Sequence, residues 1–254
     1  MPALKSLIKK KTRDEAGLFV VEGEKLVSEI PVDYAIKRYA FTQAYAETHD
    51  ISVYQKKAHC EVIRDQLFNK LADTVTPQGI LAVCERMPHK IENILHNNSP
   101  ILICENVSDP GNVGALIRTA AAAGASGVVL TKGSCDAYSP KAIRSAAGAV
   151  LRVPVITDAD ITEILSTLKK NNIKIYSAHP RGNILPYDLN LRGGFAMLIG
   201  NEANGLSQEA TEMSDALVRL PMMSDTESLN ASVAGSILLY EAVRQRFVCD
   251  TIKP

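Results

Sequence analysis

No two of the five cysteines (Cys60, Cys84, Cys104, Cys135 and Cys249) form a C-x-x-C pair, and the five histidines form no H-E-x-x-H. These absences exclude the common zinc patterns and argue against a disulfide framework. A charge excess is missing too. Twenty-eight basic residues balance 28 acidic ones, so the chain as a whole exerts no net pull on nucleic acid or membrane. Any polyanion must be held by a local patch. No apolar run reaches the ~18 residues that cross a bilayer, and the opening Met1-Pro2-Ala3-Leu4-Lys5-Ser6-Leu7-Ile8 lacks the long apolar core of a secretory signal. No metal, no membrane contact and a cytoplasmic location are the resulting expectations. The glycine patterns of dinucleotide folds and P-loops and the G-x-S-x-G elbow are also absent, which removes the usual cofactor, triphosphate and serine-hydrolase readings.

What is present is a chain of 254 residues, 46% hydrophobic and 22% charged, able to bury a sizeable core. Residues 87–100 are polar and bounded by Pro88 and Pro100, which marks a connection between a unit at 1–95 and a second at 96–254. Lys5, Lys9, Lys10, Lys11 and Arg13 crowd the first 13 residues without an acid. They read either as a solvated helix face or as an arm that touches phosphate. In the first unit, residues 18–21, 35–42 and 79–84 read as strands, and 23–30 and 57–71 as helices, predicting a small α/β or α+β domain. The second unit alternates apolar strands (101–104, 127–130, 153–156, 173–176, 195–199, 216–220) with helices (113–123, 141–149, 161–170, 208–213, 229–247). Continuous apolar strands in that alternation mean a parallel sheet with helices on both faces.

Ligands of open parallel sheets bind outside the carboxyl ends of the strands, so the chemistry is to be sought in the loops there. After 101–104 comes Asp109-Pro110-Gly111-Asn112, a turn with Asn112 as candidate helix cap, followed by Arg118 among small alanines. An arginine there suits phosphate or carboxylate. After 195–199 comes Gly200-Asn201-Glu202-Ala203-Asn204-Gly205, whose glycines permit a tight turn and a close ligand approach. After 216–220 comes Pro221 to Ser232, with Ser228 and Asn230 opening the last helix. Each loop alone has a purely structural reading; together they bring Asn112, Arg118, Glu202, Ser228 and Asn230 toward one sheet edge.

As they stand, Asn112-Val113-Gly114-Ala115-Leu116-Ile117-Arg118-Thr119-Ala120, Leu198-Ile199-Gly200-Asn201-Glu202-Ala203-Asn204-Gly205-Leu206, and Leu220-Pro221-Met222 with Glu227-Ser228-Leu229-Asn230-Ala231-Ser232 resemble the three signature motifs of the SpoU (TrmH) family of RNA ribose 2′-O-methyltransferases. Leu18-Phe19-Val20-Val21-Glu22-Gly23 and Thr76-Pro77-Gln78-Gly79-Ile80 resemble, more weakly, the family's substrate-binding domain. The resemblance implies a deep trefoil knot in the parallel-sheet unit, S-adenosylmethionine as cofactor, a homodimer through the C-terminal domain, and RNA as substrate, ribosomal rather than transfer. Carried over by motif, Gly200, Leu220, Leu229, Asn230 and Ser232 contact the cofactor, while Asn112, Arg118, Glu202, Ser228 and Asn230 serve catalysis. Within that frame Lys9, Lys10, Lys11, Arg13, Lys141 and Arg144 are the candidate RNA contacts. A transfer RNA methyltransferase and a non-catalytic ribosome-assembly factor of the same fold are the competing readings. The near-neutral charge is unusual for an RNA enzyme.

Overall fold

The computed structural model describes residues 4–72, 74–95, 98–224 and 227–251, with backbone alone for 248–251. The Cys249 side chain, the opening residues 1–3 and the 95/96 boundary at His96 lie wholly or partly outside the described residues.

A 3-10 turn at Leu4–Ile8 leads into α1 (Lys10–Ala16), β1 (Leu18–Glu22), α2 (Glu24–Ser28), β2 (Ile36–Thr42), α3 (Gln43–Thr48), α4 (Ser52–Gln55), β3 (His59–Ile63), α5 (Asp65–Leu71) and β4 (Ile80–Glu85). Their sheet has the order β1-β4-β2-β3, antiparallel except for the β2–β3 pair. One face buries Leu18, Ala40, Leu81 and Val83 under Leu4, Leu7, Phe68 and Leu71 of the first turn and α5. The basic N-terminal segment is therefore part of the core packing and not a detached arm. Its apolar positions at Leu4 and Leu7 drive that docking.

The helix expected over 57–71 is corrected to a strand followed by a shorter helix. Residues 62, 63, 67, 68 and 71 satisfy a helical period, but His59–Ile63 pairs in parallel with Arg38–Thr42, and the helix begins only at Asp65. Tertiary pairing at a sheet edge overrides the local pattern.

After a 3-10 turn at Ile91–Ile94, the second unit runs β5 (Ile101–Cys104), α6 (Pro110–Ala122), β6 (Gly127–Thr131), α7 (Pro140–Ser145), β7 (Val155–Ala159), α8 (Ile161–Lys170), β8 (Lys174–Ala178), β9 (Phe195–Ile199), α9 (Gln208–Glu212), β10 (Ala216–Val218) and α10 (Ala231–Thr251). The six strands form one wholly parallel sheet, order β10-β8-β9-β5-β6-β7. Alternate residues separate its faces. Ile101, Ile103, Val129, Ile175 and Leu198 pack under α8, whereas Leu102, Cys104, Val128, Met197 and Ile199 pack with Leu116, Ile117 and Leu238 of α6 and α10. The helix expected over 141–149 ends at Ser145, where Ala147 turns left-handed (φ 46°) before a 3-10 turn at Ala149–Leu151.

The same buried cluster that underlies α6 continues through Phe19, Val21, Phe41 and Ile80 of the first sheet, so the two units share one core. Phe19 meets Tyr138 with ring centroids 4.9 Å apart, and the Arg86 guanidinium lies 4.4 Å above the same tyrosine ring. At this boundary Arg13 is 4% exposed and bonds Asp136 across 123 residues of chain. Among the described residues no helix is long and apolar enough to cross a membrane.

Candidate active site

The chain leaves β5 at Cys104 and enters α6 through Asp109, not Asn112, as the cap. Asp109 Oδ1 accepts the backbone N–H of Asn112 at 2.9 Å, and Pro110 takes the first helical position, where a missing N–H costs nothing. This corrects the expected cap and frees the Asn112 side chain for other partners. Buried at 9% exposure, Asn112 donates from Nδ2 to Glu202 Oε1 (2.8 Å) and accepts on Oδ1 from Asn230 Nδ2 (3.0 Å). Asn230 in turn opens α10, with Oδ1 accepting the N–H groups of Ser232 (2.9 Å) and Val233 (3.3 Å) and the Ser232 hydroxyl (2.7 Å). An ionised carboxylate can only accept, so the amide of Asn112 must face it with nitrogen. Every following amide is then oriented in the same sense, down to the backbone donors of α10. One directed chain of hydrogen bonds thus ties the loops after β5, β9 and β10.

Glu202 also accepts from the Ser108 N–H (3.2 Å), the Ser108 hydroxyl (3.1 Å) and the Asp109 N–H (3.3 Å). Partial desolvation pushes its carboxyl up, but the bonds from Asn112 and these backbone groups outweigh that and hold it at about 2, against an ordinary 4.5. A depressed carboxylate contributes stability above its unfolded value and loses it as pH falls toward the folded one. The network therefore stays charged throughout neutral conditions. Cofactor affinity is expected to show no inflection assignable to Glu202 between about pH 5 and 8; a titration of binding in which Glu202→Gln removes an inflection in that window would refute this.

Beside the network opens a cavity of about 870 Å³, lined by the loops after β8, β9 and β10 and the start of α10. That is the size of a pocket for a nucleoside-sized ligand. Gly200 makes the turn possible: a Cβ there would stand 2.4 Å from the Gly205 carbonyl carbon, because Asn201 and Gly205 exchange backbone bonds of 3.0 and 2.9 Å and fold the loop back on its own start. Gly200, Leu220, Leu229 and Asn230 line the cavity, as do Glu202 and Ser228. Ser232 does not line it and sits behind Asn230. Arg118 is not in its wall. Its side chain is exposed on α6 and has no hydrogen bond or ion pair among the described residues, so Asn112, Glu202 and Ser228 do not fix it within this chain.

The candidate RNA contacts divide. Lys9 is exposed, and Arg144 is half-buried on α7. Lys10 pairs with Asp158 (3.7 Å), Lys11 with Glu15 (3.8 Å) and Lys141 with Asp109 (3.2 Å). Arg13 is a correction: its guanidinium is buried and directed to Asp136 and to the carbonyls of Leu7 and Ile8, which leaves nothing to meet a phosphate. Sequence reasoning passed over Ser108 and Asp109. It also passed over His179, Arg181 and Arg219, which line the cavity from the loops after β8 and β10. The carboxyl-end rule reaches the β8 loop too, but only a 3-10 turn at Pro186–Asp188, and no α-helix, follows that strand to draw attention to it.

A family model described as the SpoU rRNA methylase family matches residues 99–240, and one described as the MRM3-like substrate binding domain matches residues 2–82. The chain is 33% identical over 236 residues to the 23S rRNA (guanosine(2553)-2′-O)-methyltransferase RlmP of Bacillus subtilis, covering 93% of this chain and 92% of that protein. The AdoMet-bound rRNA methyltransferase structure from Sinorhizobium meliloti matches with a TM-score of 0.82 at 26% identity, over 95% of this chain and 92% of that one. The SpoU methyltransferase AviRb from Streptomyces viridochromogenes, in complex with AdoMet, shares the fold with a TM-score of 0.87 at 24% identity, over 96% of each chain.

Proposed function

The chain belongs to the SpoU rRNA methylase family, and from that premise we propose that it transfers the methyl group of S-adenosylmethionine to a ribose 2′-hydroxyl of ribosomal RNA. The observation that carries the reading is the cavity of about 870 Å³ flanked by the Glu202–Asn112–Asn230 chain of bonds. Its walls fit the cofactor: Leu206, Leu220, Leu229 and Leu238 offer apolar surface for a base, and the close-folded backbone at Gly200 offers polar groups. When bound, S-adenosylmethionine supplies an already activated sulfonium methyl. The protein then has to hold the ribose in line and keep water out. Glu202, Asn112 and Asn230 fix the three loops relative to one another, and Ser228 stands on the cavity wall to meet the ribose. Arg118 holds the adjacent phosphate and stabilises the developing alkoxide through its N–H donors.

Arg118 lies outside its own chain's cavity, which supports a site completed by a second copy. Val233, Ile237 and Tyr240 form an exposed stripe on α10 at 46%, 41% and 51% exposure. Spaced by four and three residues, they share one helix face. α10 packs on α6 through Gly235 against Leu116 and a Thr119–Ser236 hydroxyl bond of 2.8 Å, so the stripe and Arg118 belong to one packed helix pair. A homodimer through these helices, acting in the cytoplasm, belongs to the proposal. So does a trefoil knot in the C-terminal domain, supported by the motif resemblance and by the β10-β8-β9-β5 order.

The test is methyl transfer from labelled S-adenosylmethionine to RNA from cells lacking the gene, separated into ribosomal and transfer fractions and digested to nucleosides. Label in a 2′-O-methylnucleoside of the ribosomal fraction is the expected result. Label confined to transfer RNA would move the substrate, and none in either fraction, beside an active control enzyme, would leave an RNA-binding factor.

A further inference from the structure

If the chain is to bind a polyanion at zero net charge, it must do so with cations that no acid neutralises. Lys10, Lys11, Arg13 and Lys141 are each paired with an acid, so the basic N-terminal segment and the start of α7 contribute less free charge than their composition suggests. Arg181 and Arg219 differ. Both are exposed, both line the cavity, and neither has an ion pair among the described residues. The cavity acids among the described residues do not neutralise them: Glu202 is engaged by Asn112, Ser108 and Asp109, and Glu227 forms no ion pair with either arginine.

The backbone that carries them is built rather than loose. Beyond β8, His179 donates its N–H to the Val218 carbonyl (2.9 Å), Gly182 turns back onto the His179 carbonyl (3.0 Å), and Arg219 donates to the Ile184 carbonyl (2.9 Å). Ile184 thereby lies parallel to Val218 as a short extension of the sheet. Only glycine fits at 182, since a Cβ there would stand 2.5 Å from the Leu217 carbonyl oxygen. The Arg181 N–H also donates to His179 Nδ1 at 3.1 Å, which pins the turn. The two arginines therefore leave adjacent, mutually bonded segments at one side of the cavity mouth.

We propose that Arg181 and Arg219 form a clamp for a phosphodiester of the RNA substrate, at the mouth of the same cavity that receives the methyl donor. The clamp rests on the methyltransferase reading above and adds to it the residues that seat the RNA backbone beside the reacting ribose. Two planar guanidinium forks match the paired oxygens of a phosphodiester. A donor that carries a sulfonium and an ammonium against one carboxylate is net cationic, so arginines at the cavity mouth that have no acid partner among the described residues favour the anionic RNA over the cofactor.

The experiment uses the full-length protein, with Arg181→Ala, Arg219→Ala, the double variant and the paired Lys substitutions. Binding of deproteinised ribosomal RNA is measured by filter retention across a salt series, and binding of S-adenosylmethionine by calorimetry. Each arginine lost is expected to flatten the slope of log affinity against log salt by ~0.7–0.9, and the double variant to bind RNA roughly tenfold or more weakly near physiological salt. Cofactor affinity should stay within about twofold, and the Lys variants should keep the salt slope while losing part of the affinity, because they retain the charge but not the fork. An unchanged slope overturns the clamp. So does a fall in cofactor affinity with RNA binding intact, which would assign the arginines to the donor's carboxylate. A wild-type protein that binds RNA but transfers no methyl would overturn the catalytic reading and leave the clamp standing. One that binds no ribosomal RNA would overturn both.

Discussion

Arg118→Ala is expected to slow methyl transfer by roughly 10²–10³-fold, the usual loss when a preorganised donor to a developing oxyanion is removed. S-adenosylmethionine affinity should change by less than about twofold, because Arg118 lies outside the cavity wall of its own chain. Arg118→Lys should recover only part of the rate, keeping a point charge but losing the fork that grips phosphate. The geometry adds a sharper test. If Arg118 of one copy serves the cavity of the other, then Arg118→Ala and Asn230→Ala, each nearly inactive alone, should recover activity when mixed. In the mixed dimer one site carries both lesions and the other carries neither. Supply within one chain would give one lesion per site and no recovery. Parallel losses of rate and cofactor affinity in Arg118→Ala would place the side chain in the cofactor site and remove it from catalysis.

The parallel sheet was readable because its strands are buried on both faces. Residues 101–104, 127–130 and 195–199 are continuous apolar runs that no amphipathic helix would show, and each is a fully buried strand. The first domain was less readable because its edge strand is half exposed. His59-Cys60-Glu61-Val62-Ile63 carries only part of an alternation, and Val62, Leu67, Phe68 and Leu71 complete a helical period that the β2 pairing overrides. In the site, the loops were found from their position at strand ends, and Asn112, Glu202 and Asn230 do meet. The division of labour between Asp109 and Asn112 turns on Pro110. Both residue types cap helices, but a proline at the first helical position makes the preceding Asp109 the cap and leaves Asn112 to reach Glu202. The electrostatics were least legible. Whether a lysine or arginine is free depends on acids far off in the chain, as with Lys10 and Asp158 or Arg13 and Asp136.

That last pair carries the largest expected effect on stability. Arg13 Nε and Nη2 donate to Asp136 Oδ2 at 3.1 and 2.5 Å, and Nη1 donates to the carbonyls of Leu7 and Ile8 at 2.8 and 2.6 Å. Asp136 Oδ1 accepts the Tyr138 N–H at 2.8 Å. With side chains only 5% and 8% exposed, the two charges are satisfied by each other and by fixed backbone groups, with little access to water. Removing one partner leaves the other buried and uncompensated. Arg13→Ala or Asp136→Ala should therefore each lower the free energy of unfolding by about 3–5 kcal/mol, measured by chemical denaturation. Replacing both with apolar residues of similar size, Arg13→Met with Asp136→Leu, should recover much of that loss, because neither charge then needs hydration. Single variants that lose less than about 1 kcal/mol, or a double variant no better than the singles, would show that water reaches the pair. The position of the pair sets a further consequence. Asp136 lies just before α7, whose Lys141 reaches Asp109 at the start of α6, so the clasp connects the first unit to the helix that carries Asn112 and Arg118. Weakening it with Asp136→Asn should raise the KM for RNA more than the Kd for S-adenosylmethionine. The shared core of the two units should still melt in one transition. Two separate transitions in the wild-type protein would mean that Arg13 stabilises its own domain and does not orient it on the other.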